Sequence, residues 1–150
     1  MRILKGGLVL AGGAVLAAAP LSMVTLAGTA SAVSPQTAVV CTHLKGTATN
    51  DTAKVKGCTA ASTGGKGGII NFMPSGGDVT WANGTTTDYT ASATNPASGC
   101  PSGSVLFKIV GSVTASTNSS TPVGQAVKMK ICANQTTGAL TNQTGSTVKF

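Results

Sequence analysis

The stretch that most constrains the fold is CTHLKGTATNDTAKVKGC, residues 41 to 58, which carries a cysteine at each end and a turn at its centre. Thr49-Asn50-Asp51 is a turn-prone triplet, and the residues on either side favour two strands, over 37–49 and 53–59. The stretch therefore predicts a β-hairpin whose two strands a disulfide can join.

The register of this hairpin favours one cysteine pairing. The chain has four cysteines: Cys41, Cys58, Cys100 and Cys132. Four cysteines allow three pairings, and sequence alone selects none of them. If Cys41 lies opposite Cys58, then Leu44 lies opposite Val55, a favourable apolar cross-strand pair. We therefore predict two disulfides, Cys41–Cys58 and Cys100–Cys132.

The same register has a consequence for the charged residues. It places His43 opposite Lys56 and Lys45 opposite Lys54, and like charges in opposition suit only a solvent-exposed face. Strict alternation sets the two hairpin cysteines on that face as well. The predicted disulfide therefore requires either a position at a sheet edge or a β-bulge near each cysteine.

The first 32 residues have the organisation of a secretory signal peptide. Arg2 and Lys5 form a basic start, residues 6–26 are strongly apolar, and Ala30-Ser31-Ala32 matches a signal-peptidase site. We predict an N-terminal signal helix that is cleaved after Ala32. The protein is then secreted, with an extracellular or cell-wall location in which cysteines pair.

Cleavage leaves residues 33–150 as a single secreted β domain. A retained membrane helix is the alternative, because the apolar run approaches the length that spans a bilayer. Pro20 and the many glycines in the run argue against that alternative. We expect no stable membrane span after removal of the signal.

The composition after residue 32 favours strands. The chain has no glutamate and no arginine after Arg2, whereas threonine, glycine and asparagine recur throughout. Threonine suits strands, and glycine and asparagine suit turns. Apolar residues come in strand-length runs, such as Ile69-Ile70 and Val105-Leu106-Phe107, which indicate a folded domain.

Seven to nine short strands are expected, without a long helix. Asn83-Gly84 gives the strongest hairpin signal, and a three-residue loop there sets four alternating side chains on one face: Val79, Trp81, Thr87 and Tyr89. Trp81 is interpreted as a core residue rather than a ligand platform. The predicted fold is all-β, a two-sheet antiparallel β-sandwich of immunoglobulin-like architecture.

Residue types that carry catalysis are sparse. The single histidine, His43, lies on the lysine-bearing face, and no G-x-S-x-G occurs, which argues against a catalytic triad. Asp78 and Asp88 lie on neighbouring hairpin arms and are the candidate carboxylate pair of a hydrolase. We interpret both as solvent-exposed and predict a non-enzymatic protein with no catalytic residue.

Cofactor and metal signals are also weak. Cys41 and His43 form a C-x-H pair, but the neighbours are lysines and zinc sites need further clustered ligands. The segment GGKGG, residues 64–68, lacks the spacing of a phosphate-binding loop. We therefore predict no metal site and no cofactor.

Lysines supply almost all of the charge. After residue 32, eight lysines and three aspartates give a net charge of +5. Lysine without arginine, and few aromatic residues, make a poor nucleic-acid surface. Lysines are compatible with loose attraction to an anionic surface. The lysines singled out are Lys45, Lys54 and Lys56 on the first hairpin, and Lys128 and Lys130 on a later strand.

Several motifs together resemble those of a group of small secreted proteins of actinomycetes. They are the signal peptide, the C-x-x-L-x-G element Cys41–Gly46 answered by Gly57-Cys58, the TGGKG loop, the TWANGTTT hairpin and the closing GSTVKF. The similarity covers most of residues 33–150. It implies a secreted β-sandwich and carries over no functional residue.

Two functions follow as expectations. The first is a secreted, non-enzymatic protein that associates with anionic cell-envelope polymers through weak electrostatic binding. The alternative is a diffusible binder of an extracellular protein, or a protease inhibitor, for which the loop Asn95–Ser104, anchored by Cys100, is the candidate inhibitory segment. The sequence assigns no oligomeric state.

Overall fold

The computed structural model describes residues 37–59 and 67–150. These ranges form nine strands and one short 3-10 turn, and they contain no α-helix, so the all-β prediction is confirmed. The strands are β1 (Val40–Thr47), β2 (Thr52–Cys58), β3 (Gly68–Met73), β4 (Gly76–Trp81), β5 (Thr86–Thr94), β6 (Ser104–Ser116), β7 (Ala126–Asn134), β8 (Ala139–Asn142) and β9 (Val148–Lys149). The signal peptide and its cleavage at Ala32 lie outside the described residues and stay predictions.

The predicted two-sheet sandwich is wrong, because the strands close into one antiparallel barrel. Successive strands from β1 to β8 pair in sequence order, and β8 then pairs back with β1. A sandwich and a barrel share short strands and frequent turns, and they differ in whether the first and last strands meet. Closure pairs the backbone groups that a sheet edge would leave exposed.

A glycine in the longest strand lies where two neighbouring strands approach each other closely. Gly111 lies within β6, a strand of 13 residues. A Cβ atom at Gly111 would overlap the carbonyl oxygen of Thr90 on the neighbouring strand. Glycine inside a strand is typical of a barrel corner, where two backbones approach closely.

The closing position of the barrel is shared by two short strands, β8 and β9. Both lie between β7 and β1, and residues 143–147 separate them. The side chain of Asn142 crosses this interruption. Its Oδ1 accepts from the Leu44 backbone N–H at 3.1 Å, and its Nδ2 donates to the carbonyl oxygens of Thr42 and Ser146 at 3.1 and 2.9 Å.

Both disulfides are present with the favoured pairing, Cys41–Cys58 and Cys100–Cys132. The first lies in the barrel core, where Cys41 and Cys58 are buried. The predicted register of the hairpin is confirmed, including Leu44 opposite Val55. Disulfides are compatible with an extracellular protein.

The position of the first disulfide in the core has a local cause. The alternation of buried and exposed residues breaks in both strands, at Thr42-His43 and at Lys56-Gly57, where two exposed residues follow one another. Gly57 has φ +65°, a left-handed conformation that glycine adopts without strain. Because both strands change phase together, the cysteines turn inward although the lysines face outward.

The second disulfide lies on the outside of the barrel. Cys132 pairs with Leu106 across β6 and β7, and both are buried although neither belongs to the main hydrophobic core. Residues 95–103 cover them, and Cys100 ties this segment down. A covering loop explains why Cys132 is out of phase with its buried neighbour Ile131.

The β4–β5 hairpin has the predicted three-residue loop, Ala82–Gly84, and its four inward side chains are buried. Trp81 is a core residue, as predicted. Its indole N–H donates to the Thr87 hydroxyl at 2.8 Å, and its ring contacts that of Phe150 edge-on with the centroids 5.4 Å apart.

One end of the barrel, which we call the closed end, is filled by five buried residues: Val39, Trp81, Thr87, Thr121 and Phe150. The opposite end, where the β1–β2 and β3–β4 turns lie, is called the open end. Within the described ranges, no helix combines the length and the hydrophobicity that a bilayer crossing requires.

Candidate functional site

The most distinctive surface of the barrel is formed by four lysines on three neighbouring strands. In β6 and β7, apolar residues that point inward alternate with lysines that point outward. Lys108 lies opposite Lys130, and Lys128 lies opposite Lys149 of β9. All four side chains are exposed. We call Lys108, Lys128, Lys130 and Lys149 the lysine face.

The lysine face surrounds a shallow groove of about 490 Å³. The lining also includes two hydroxyl residues and three apolar ones, of which Val110 is exposed: Ile109, Val110, Met129, Ser146 and Thr147. This volume falls within the range of about 300–1,000 Å³ that is typical of ligand pockets. The groove presents several hydrogen-bond donors of one charge to anything that lies in it.

No acidic residue occurs in the strands that form the lysine face. The last acidic residue is Asp88, so the whole sequence from Tyr89 to Phe150 carries lysines without aspartate or glutamate. Like charges directly opposite each other on a sheet are unfavourable. Two such pairs on adjacent strands are therefore a cost to folding, which an anion bound there would relieve.

The other lysines extend the positive charge around the barrel. Lys45, Lys54 and Lys56 are exposed on β1 and β2, with Lys45 opposite Lys54 and His43 opposite Lys56, as the sequence predicted. In the order of the barrel, β6, β7, the β8–β9 position, β1 and β2 are consecutive. The described lysines thus lie on five adjacent positions of the eight-position barrel.

The aspartates lie elsewhere. Asp78 and Asp88 lie directly opposite each other on β4 and β5, between inward-facing core residues, so they occupy the outer face. The side-chain amide of Asn71 donates to Asp78 at 2.7 Å. The structure brings this predicted carboxylate pair together, but on β4 and β5 rather than on the strands that carry the lysine face.

The candidate inhibitory loop is exposed but held against the barrel. Eight of the ten residues in Asn95–Ser104 are exposed. Besides the disulfide at Cys100, the Gln135 backbone N–H donates to the Gly103 carbonyl oxygen at 2.9 Å, and Ser104 N–H donates to Pro101 at 3.1 Å. The loop is therefore tied at its middle and its end.

His43 is an exposed residue of the outer face. Its cross-strand neighbour is Lys56, and the neighbouring Cys41 is in a disulfide, so the C-x-H pair offers no thiolate to a metal. In the part of the chain that the structure describes, no group of three or more histidine, cysteine, aspartate or glutamate side chains converges.

The sequence alone indicated only two of the four residues of the lysine face. The sequence singles out Lys128 and Lys130 together on one strand, but Lys108 and Lys149 are 20 and 19 residues away from them. Strand pairing alone brings those two residues opposite the predicted pair. The runs Phe107–Ile109 and Val148–Phe150, each with a lysine between apolar residues, were the available signal.

Comparisons of this chain with known protein families, with curated proteins and with solved structures gave no match. The resemblance to secreted actinomycete proteins therefore stays a prediction, and its sandwich component does not hold for this barrel.

Proposed function

We propose that this protein is a secreted, non-enzymatic barrel that binds anionic polymers of the cell envelope through the lysine face. The observation that carries the proposal is the pairing of four exposed lysines around one groove, Lys108 opposite Lys130 and Lys128 opposite Lys149. A cross-strand arrangement of like charges weakens a sheet. Its presence on three neighbouring strands is accounted for by an anionic partner.

The chemistry of lysine also limits the kind of binding. Lysine ammonium groups act as flexible, strongly hydrated point charges and do not form the bidentate contacts of arginine. The expected partner is a flexible polymer with repeated phosphate or carboxylate groups, held by many weak contacts. Such binding is weakened by salt, because the charges are exposed.

A charge-matched pair of variants tests this proposal. Lys108, Lys128 and Lys130 are changed to glutamine in one variant, and Lys45, Lys54 and Lys56 in the other. Each variant loses three charges from the same barrel. The protein is produced with its leader, collected in oxidised form and sedimented with purified cell wall at about 20 mM and about 300 mM salt.

We expect wild type and the β1–β2 variant to sediment with the wall at low salt and the lysine-face variant to remain in solution. Equal losses in both variants would show that net charge acts without a specific face. Absence of wild-type binding at low salt would reject the proposal. Inhibition of secreted serine proteases by the soluble protein would then favour the tethered loop Asn95–Ser104 as the functional segment.

A further inference from the structure

The open end of the barrel contains a cavity that is separate from the lysine face. Its volume is about 250 Å³, and it reaches into the barrel between the β1–β2 and β3–β4 turns. The inward faces of β3 and of β5 to β8 form its walls. The principal apolar wall residues are Phe72, Phe107, Ile109, Ile131 and Leu140.

The cavity exists because small residues occupy positions where the closed end has large ones. Ala91 on β5 and Ala133 on β7 line it, and both are only partly buried. Tyr89 lies deeper in the barrel, with its ring 5.7 Å from that of Phe150 at the closed end. The aromatic pair thus separates the filled half of the barrel from the cavity.

The cavity has almost no polar chemistry. Tyr89 lines the cavity, and its hydroxyl oxygen is buried without a hydrogen-bond partner among the described residues. Among the described residues, Asp51 is the one charged residue in the lining, and it is exposed at the mouth. An apolar body is favoured inside, and an anionic group is disfavoured beside Asp51.

The volume limits the size of the ligand. A protein cavity of about 150 Å³ with apolar walls binds benzene. The present cavity is larger, so it accommodates a single ring with a short chain, of about ten non-hydrogen atoms, with the chain directed to the mouth. Met73, exposed at the rim, has a flexible side chain that adapts to different shapes.

We propose that the open end is a binding site for a compact apolar molecule without an anionic group. This site does not rest on the function proposed for the lysine face, since the two lie on the inside and the outside of the barrel.

Three probes of matched size test the site: 3-phenylpropan-1-ol, 3-phenylpropylamine and 3-phenylpropionate. Binding is measured by calorimetry and by amide NMR shifts of the full oxidised protein. We expect the alcohol and the amine to bind with dissociation constants of about 0.1–1 mM. The carboxylate should bind about two- to five-fold more weakly than the alcohol, as an exposed charge interaction implies.

Two kinds of variant localise the binding. Ala91→Leu places three more carbons in the cavity and should lower the affinity for the alcohol by at least about tenfold. Ala115→Leu, an exposed change near the closed end, should leave its affinity unchanged. Asp51→Asn, whose new side chain tolerates the left-handed conformation at this position, should bring the affinities of carboxylate and alcohol together.

The folding of each variant is checked by the dispersion of its NMR spectrum, and Ala133→Leu replaces Ala91→Leu if the latter does not fold. The proposal is overturned if none of the probes binds, if the carboxylate binds most tightly, or if Ala91→Leu, or Ala133→Leu in its place, keeps wild-type affinity for the alcohol. A lysine-face variant that still binds the alcohol supports a separate site, whereas loss of binding in that variant contradicts it.

Discussion

The closed and open ends of the barrel use the same strands but are packed in opposite ways. At the closed end, Trp81, Tyr89 and Phe150 meet edge to face, with centroid distances of 5.4 and 5.7 Å from Phe150. At the open end, buried and partly buried side chains surround about 250 Å³ of space. The packed side chains of the closed end thus stabilise the fold, whereas the open end leaves space that a ligand could occupy.

The polar groups of the two ends differ as well. The closed end contains a hydroxyl network in which the Thr87 Oγ1 lies 2.8 Å from the indole nitrogen of Trp81 and 2.6 Å from the Thr121 Oγ1. Buried polar groups need such partners. At the open end, most of the side chains that line the interior carry no polar atoms. The hydroxyls of the densely packed end thus have partners, whereas Asn118 Nδ2 and Gln125 Oε1 beside them are buried without one among the described residues.

The largest effect should come from removing the central ring of the closed end. Phe150 is fully buried, so Phe150→Ala should lower the free energy of unfolding by about 3–5 kcal/mol. Phe72→Ala, the matched change at the open end, removes a partly buried ring and should cost about 1–2 kcal/mol. Urea unfolding followed by tryptophan fluorescence measures both. Equal losses would contradict the difference between the ends.

The hydroxyl network should give the next effect. Thr87→Val keeps the shape but leaves the Trp81 N–H without its acceptor, which should cost about 1–3 kcal/mol. Thr90→Val, at an exposed position of the same strand, should change stability by less than about 0.5 kcal/mol. Thermal unfolding of the two variants checks this prediction, and similar midpoints would show that the network adds nothing to stability.

Enlarging a buried side chain should have a smaller effect on stability, and one that differs between the two ends. Val127 is fully buried near the closed end, so Val127→Ile should destabilise the barrel by about 1–3 kcal/mol, because a packed core resists an extra methylene. Ala91→Val should change stability by less than about 1 kcal/mol, in the stabilising direction, because its methyl groups enter the cavity. If Ala91→Val destabilises as much as Val127→Ile, the open end has no usable space.

The smallest effect should appear only at alkaline pH. Burial, with a further contribution from Asp78, raises the pKa of the Tyr89 hydroxyl far above its ordinary value of about 10. The folded protein favours the neutral hydroxyl, so this contribution is present below pH of about 10 and is lost at higher pH, where the unfolded chain ionises first.

Tyr89 is the only tyrosine in the chain, so Tyr89→Phe isolates its effect. Wild type should lose stability more steeply than Tyr89→Phe between about pH 9 and pH 11. Unfolding at several pH values measures the two slopes. Parallel slopes would mean that the hydroxyl reaches solvent in the folded protein.

Local features were predictable where neighbouring residues decide the outcome. The hairpin around Asn83-Gly84 has its three-residue loop, since a turn sequence and the alternation beside it specify the register. The first hairpin has its predicted register for the same reason. Its disulfide lies in the core, however, because both strands change phase near Gly57, and alternation by itself does not reveal such a shift.

The sequence by itself determined the strand-rich composition, the two disulfides and the burial of Trp81, because these depend on residue type and on short-range pairing. Only the tertiary structure decided that β8 returns to β1, that Lys108 and Lys149 join Lys128 and Lys130, and that one end stays open. These outcomes depend on contacts between distant segments. The cost of closing those loops is offset only when the whole barrel forms.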